Sequence, residues 1–367
     1  MVNLTNLLLG GAVADLVEKF ISWIYGLVGN YGVAVIVFTL TLKIVLSPLD
    51  VWQKVSMRKN NKAMERMKPK LEKLQKQCGG NRELYQQKQM QLYKEEGYKM
   101  TGSCLPMILT MVIFFMVFAG FRATVKTVNQ EMYEDMYQTY FAVYDAEKGT
   151  LDDDLVIEHA QNAVKEKFES EYKDKIRFLW VKNVFMPDSW KDPIPNYKTY
   201  TSSGLGGVGA TDTVPDAEAA AKLRENGGSI GNDEFGQKGY ETVMGALMDS
   251  QNTRWNGFLI LPLLTIAITV LSTKLNKPAD VPAAPGSEDQ QQMMQANTKM
   301  MNWMMPIMFG VFAFIYSAAF SIYMITNSLL STGSTLLINF IVERSFKKKA
   351  EKLEKERIEN HRYGKLR

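Results

Sequence analysis

The sequence predicts an all-α integral membrane protein. Its expected architecture is a five-helix bundle with an N-terminal interfacial amphipathic helix, a cytoplasmic helical hairpin and an extracellular insert. Three observations carry this. The mean hydropathy is only −0.16, yet the apolar residues gather into a few long blocks. Each block approaches the ~20 residues that cross a ~30 Å hydrocarbon core at helical rise. Lys and Arg concentrate in particular segments between the blocks, as the positive-inside rule requires.

Residues 1–29 contain the interfacial helix. Val13, Leu16, Val17, Phe20, Ile21, Ile24, Leu27 and Val28 recur at helical spacing, opposite Asp15, Glu18, Lys19 and Ser22. Trp23 and Tyr25 stand near its end. This pattern suits a helix lying in the membrane interface, with packing on protein as the alternative. No cleavable signal is expected, because the start lacks both a positive n-region and an A-x-A site. Span 1 falls within 30–53, and from about Tyr31 to Leu49 only Thr39, Thr41, Lys43 and Ser47 interrupt the apolar run. Span 2 falls at 103–124 and span 3 at 255–275. The stretch 300–342 is too long for one crossing and supplies spans 4 and 5, with a turn expected near Ser317 to Ala319.

The connecting segments set the orientation. Residues 54–102 carry about 13 Lys/Arg against about 5 Asp/Glu, and the tail 343–367 carries about 10 Lys/Arg. Both are expected in the cytoplasm. An odd number of spans then puts the N-terminus outside and the C-terminus inside. Within 54–102, Met64, Met67, Leu71, Leu74 and Cys78 form a short heptad-like seam. Gly79 and Gly80 should break the helix, and Asn81 can cap the next one, which runs to about Glu96. The result is an antiparallel hairpin whose first arm should turn or kink at Pro69. The acidic stretch 125–254 reads as an extracellular insert, with helices near 152–175 and 233–249 around a Gly/Pro/Ser-rich linker at 192–215. Residues 276–299, with Pro278, Pro282 and Pro285, form a cytoplasmic loop.

Enzyme chemistry has little to work with. The two cysteines, Cys78 and Cys104, fall on the cytoplasmic side and are expected to stay unpaired. With only His159 and His361 as histidines, no metal-ligand spacing occurs, and no Walker motif is present. No catalytic residue, metal or cofactor is therefore expected.

Lys43 is the most informative residue. A lysine near the middle of a span costs about 2.5–3.5 kcal/mol, so it should face protein or a hydrated cavity, or snorkel to the interface along its own stem. Thr39 and Ser47 stand four residues to either side and share its face. Span 5 carries a second polar stripe, Tyr323, Asn327, Ser331 and Ser334. Such hydroxyls and amides either bond a neighbouring helix or line a shared hydrated cavity. Methionines cluster in spans 2 and 4, as gap-fillers or as an adaptable apolar surface. The basic tail, with Lys347, Lys348 and Lys349, is either a topology anchor or a contact for anionic lipid or ribosomal RNA.

Several short motifs, in order, resemble those of the YidC-type membrane protein insertases, relatives of the Oxa and Albino insertases of organelles. They are Val28-Gly29-Asn30-Tyr31-Gly32, Lys43-Ile44-Val45-Leu46-Ser47-Pro48-Leu49 and Met67-Lys68-Pro69-Lys70. Leu92-Tyr93-Lys94, Gly102-Ser103-Cys104-Leu105-Pro106, Phe178-Leu179-Trp180, Leu261-Pro262, Met305-Pro306 and Tyr323 to Asn327 follow. The resemblance implies a positively charged hydrophilic groove, open to cytoplasm and lipid, that receives client segments and releases them sideways into the bilayer. Carried over by position, Lys43 supplies the groove charge and Thr39, Ser47, Asn327 and Ser331 its polar lining. Met107, Met111, Phe114 and Tyr323 form the client slide. The implied location is the bacterial plasma membrane. The implied partners are nascent membrane proteins, lipids, and the ribosome or a Sec-type translocon, with no role for DNA.

Two departures from the family pattern stand out. Arginine is usual where this chain has Lys43; arginine offers five donors in a fixed fork, lysine three on a flexible stem. The family's short loop between spans 2 and 3 is expanded here, and the large extracellular β-domain of some relatives is absent. Two other functions compete with insertion. A small-solute transporter or channel would show inverted repeats or broken helices. A scaffold tethering ribosomes would need only the hairpin and the tail.

Overall fold

Helical periodicity dominates the computed structural model, which describes residues 12–78, 81–97, 101–204, 206–210, 233–252, 255–275 and 307–364. Among these residues there is no β-strand, and the only bridges are the isolated pairs Lys148–Leu151 and Phe178–Val181. The helices are α1 (Ala12–Val28), α2 (Tyr31–Cys78), α3 (Arg82–Glu95), α4 (Thr101–Glu147) and α5 (Asp153–Lys167). A π-helical turn, Phe168–Tyr172, leads into α6 (Lys173–Ile176). Then come α7 (Tyr197–Thr201), α8 (Asp233–Gln251), α9 (Ile260–Leu275), α10 (307–315) and α11 (Ala318–Gly364). The expected loop 276–299 and the start of span 4 lie outside the described residues.

The chain divides into two compact units. One comprises Met1–Thr41, Met111–Thr269 and Pro306–Thr326; the other comprises Leu42–Thr110, Val270–Met305 and Asn327–Arg367.

The first unit is built on aromatic packing. Phe114, Phe118 and Phe121 recur at helical spacing on α4 and meet Phe312, Tyr316, Phe320 and Tyr323 at centroid distances of 4.5–6.2 Å. α1 packs on this core: Phe20 meets Phe38 edge-on at 5.9 Å. Gly120 lets it approach, since a Cβ there would lie 2.2 Å from Val17 Cγ1. Thus α1 packs on protein through Ile21, Ile24 and Val17. Leu16, Trp23 and Leu27 nevertheless stay more than 60% exposed, leaving a second apolar face with no protein partner shown.

α4 does not stop at the expected end of span 2 but continues to Glu147, so the boundary expected at 124/125 falls inside a helix. Its outer part brings its own packing partners. Tyr133 meets Tyr240 at 5.0 Å and Tyr200 at 5.6 Å, and the buried Tyr240 hydroxyl donates to Pro195 O at 2.7 Å. Within the same unit α5 packs on α8, burying Val156, Ala160 and Val164 on one and Val243, Met244 and Leu247 on the other.

In the second unit, α2 passes through Pro48 and Pro69 without a break. A proline removes one backbone hydrogen bond and crowds the preceding turn. The helical ladder continues past Pro69 with Met67 and Leu71 buried on either side, so of the expected turn or kink no turn forms. Ala63, Met67 and Leu71 pack against Leu92 and Tyr93 of α3, which makes the antiparallel hairpin. The Asn81 side chain accepts from Leu84 N at 3.1 Å, capping α3 as expected. Of the expected seam, Met67, Leu71 and Cys78 are buried and Leu74 is half-buried, while the side chain of Met64 lies outside the described residues.

Among the described residues, two helical stretches are long and apolar enough to cross a membrane, Tyr31–Gln53 and Leu109–Glu147, with a shorter apolar helix at Ile260–Ser272. Ile44, Val45, Leu336, Leu337, Phe340 and Ile341 are all more than half exposed. Apolar faces of this kind suit a hydrocarbon solvent.

Candidate functional site

Two places concentrate polar groups among apolar helices, one in each unit.

In the second unit, Lys43 projects from α2 toward α11. Its ammonium donates to Ser331 Oγ at 3.0 Å and lies 2.6 Å from Asp50 Oδ2. The lysine side chain is only 16% exposed. Helical periodicity explains the grouping: Asp50 is seven residues from Lys43, two turns along the same face. Ser331 is held in turn, because Thr335 Oγ1 donates to its carbonyl at 2.7 Å. On the same helix Thr332 Oγ1 donates to Ser272 Oγ of α9 at 2.8 Å. The polar stripe of α11 therefore bonds neighbouring helices and also holds a charge.

The structure brings Lys43 and Ser331 together but not the rest of the expected lining. Thr39 is buried and donates to Val35 O of its own helix at 2.6 Å, so its hydroxyl is spent locally. Ser47 is exposed, and Asn327 is half-buried. Of the expected slide, Met111 is exposed and Phe114 half-buried within the aromatic core. Tyr323 is buried against Phe121 and Phe320. The side chains of Met107 and of Lys347, Lys348 and Lys349 lie outside the described residues.

Sequence reasoning missed Asp50. A carboxylate seven residues from a lysine in an apolar helix was the available signal, but it sits where the charged hairpin begins and reads as part of that charge run.

The second place is a loop of the first unit, 177–196, where three helix N-termini meet. The first N–H groups of a helix have no partner within it. Here the loop supplies partners at α9 and α11, while Asn30 caps α2 and ties it to the start of the loop. Leu259 N and Leu261 N, at the start of α9, donate to the two oxygens of buried Asp188 at 3.0 and 2.7 Å. Trp180 Nε1 donates to the same carboxylate at 3.1 Å. Ala318 N and Ala319 N, at the start of α11, donate to Met186 O and Val184 O at 2.9 and 2.8 Å. Before α2, Asn30 donates to Asp174 O and Arg177 O at 2.9 and 2.8 Å, and its own oxygen accepts from Val33 N.

The loop is itself tied by Asn256. Its amide donates to Asn183 O, Met186 O and Pro187 O at 2.8–3.1 Å and accepts from Asn183 N at 2.8 Å. Gly32 and Gly257 allow the close approach, since a Cβ would lie 2.3 Å from the Phe178 ring and 2.0 Å from Asp188 Oδ1 respectively. Leu179 and Leu259 take positive φ of 52° and 63°, unusual for a branched side chain. Asn183, Asp188 and Asn256 were also missed. An Asn-Gly pair immediately before an apolar run was the legible signal.

Comparison with known proteins adds the family. The family model described as "60Kd inner membrane protein" matches residues 23–345. A protein of Jannaschia sp. (strain CCS1) named membrane protein insertase YidC is 40% identical over 106 residues, 29% of this chain and 16% of that protein. The like-named protein of Helicobacter pylori (strain ATCC 700392 / 26695) is 37% identical over 111 residues, 30% of this chain and 20% of that protein. That of Caldanaerobacter subterraneus subsp. tengcongensis is 34% identical over 110 residues, 30% of this chain and 52% of that protein. The matches thus span between 16% and 52% of the length of these curated relatives. With the match running through most of its length, this integral membrane chain belongs to the 60Kd inner membrane protein family.

Proposed function

We propose that this protein is a membrane protein insertase, which receives segments of nascent membrane proteins at a polar site among its spans and releases them sideways into lipid. The observation that carries this reading is the half-buried Lys43 ammonium, held by Ser331 and Asp50 beside exposed apolar faces at Ile44 and Val45. A polar segment crossing intact lipid leaves its peptide groups unsatisfied, at several kcal/mol each. Polar side chains presented partway into the bilayer lower that cost. The driving force is burial of the client's own apolar helix in lipid.

The bundle has five spans, with the hairpin and the basic tail in the cytoplasm of a bacterial cell and the loop 177–196 outside. Both strongly basic segments then share one side. α1 lies at the interface, its exposed Leu16, Trp23 and Leu27 turned to lipid and its other face packed on the bundle. The hairpin and the tail suit contact with a ribosome or a translocon.

The test is reconstitution. Purified chain in liposomes is expected to insert a short single-span protein with an acidic external tail. Lys43→Arg keeps the charge and should retain this activity; Lys43→Glu should lose it, with protein levels matched. Insertion no better than in protein-free liposomes would defeat the reading.

A further inference from the structure

Lys43 has an internal counter-ion. Asp50 lies two turns further along the same face of α2, with its carboxylate 2.6 Å from the ammonium. Both side chains are mostly withdrawn from solvent, at 16% and 22% exposed. A second donor of the ammonium is spent on Ser331 Oγ at 3.0 Å. The formal charge of the Lys43–Asp50 pair is zero rather than +1.

We propose that Asp50 sets the client preference of this site, as a specificity-determining residue acting on Lys43. This rests on the insertase reading. An unpaired ammonium among apolar helices is costly and would hold any acidic segment tightly. With Asp50 in place, an arriving carboxylate must displace one that is already bound. One ion pair replaces another, so the net gain is small and the client can leave again. Such a site favours weak, reversible capture over selection for acidic tails. Removing the Asp50 charge converts it into a cationic site that prefers acidic segments.

The experiment uses the full chain in liposomes and two clients that differ only in having an acidic or a neutral external tail. The readout is the ratio of acidic-tailed to neutral-tailed client inserted. Asp50→Asn should raise this ratio roughly fivefold, about what a partly exposed ion pair is worth. Asp50→Glu, which keeps the charge, should stay within about twofold of the unmodified protein. Asp50→Asn combined with Lys43→Ala should return the ratio to the unmodified level or below. An unchanged ratio in Asp50→Asn, including an equal loss of both clients, would overturn the proposal and leave Asp50 a structural residue. A rise that persists in the double variant would also overturn it. If the unmodified protein inserts neither client above protein-free liposomes, the insertase reading itself fails, a result distinct from an unchanged ratio.

Discussion

The loop at 177–196 and the hairpin formed by α2 and α3 are both rich in polar side chains, but the loop buries its key ones and the hairpin leaves most of its charged ones exposed. In the loop, Asn183, Asp188 and Asn256 are each no more than 1% exposed, and each makes several hydrogen bonds to backbone groups. In the hairpin, the apolar contact is confined to Ala63, Met67, Leu71, Leu92 and Tyr93, and the charges lie outside it. Buried polar groups are costly to leave unpaired, so a satisfied network fixes one arrangement. Exposed charges cost little either way and fix nothing. The comparison teaches that the polar residues of this chain have two separate tasks. One set holds the N-termini of α9 and α11 against the loop, and the other lies exposed along the α2–α3 hairpin.

The sharpest way to break the comparison is to remove Asn256. Asn256→Ala deletes an amide whose loss leaves buried Pro187 O and Asn183 N without their partners, while Met186 O keeps Ala318 N and Asn183 O keeps Met186 N. Each buried group left without a partner costs about 1–3 kcal/mol, so a loss of roughly 2–6 kcal/mol is expected. Thermal unfolding in detergent measures it. A change below about 1 kcal/mol would mean that water reaches these groups and the network is not sealed.

A smaller and more local effect is expected in the hairpin. Leu71→Ala removes a side chain that is 1% exposed, and such truncations cost about 2–5 kcal/mol where the surroundings cannot collapse. The hairpin contributes few other contacts, so the damage should stay there. Protease cleavage within 79–97 should accelerate, while the near-UV signal of the aromatic core is unchanged. Loss of that signal would show the two units to be energetically coupled.

The smallest effect concerns pH. The hydrogen bond from Lys70, at 2.5 Å, holds the Glu96 carboxyl below its usual range. A depressed carboxyl stabilises above its unfolded pKa, and that contribution disappears as pH falls through the folded value. Hydrogen exchange in α3, corrected for intrinsic rates, should therefore rise modestly through the acid limb below the ordinary Glu range. Glu96→Gln should already show the acid level at neutral pH and lose the pH step. A step that survives in Glu96→Gln would assign the titration to another group.

Periodicity and charge asymmetry made much of the fold legible. The apolar blocks, the hairpin with its Asn81 cap and the turn at Ser317 could be read because each depends on neighbours within a turn or two. Helix continuity through Pro69 and past residue 124 was not legible in the same way. Continuity there depends on packing by Met67 and Leu71 in one case and by Tyr200 and Tyr240 in the other.

The functional residues divide in the same way. Lys43 was legible by itself, because a charge inside an apolar span is costly wherever the chain folds. Its partners were not. Ser331 is 288 residues away, and nothing in the sequence distinguishes it from Asn327 or Ser334 until two helices are packed. Asp50 is near in sequence, but only the side-chain geometry separates an ion pair from the first charge of a solvated arm. Asn256 reaches Asn183 across 73 residues for the same reason. The sequence by itself determined which stretches are helical and apolar, since those properties follow from local periodicity and transfer energy. Which polar groups meet was decided only by the tertiary structure, because hydrogen bonds and ion pairs act over a few ångströms between residues distant in the chain.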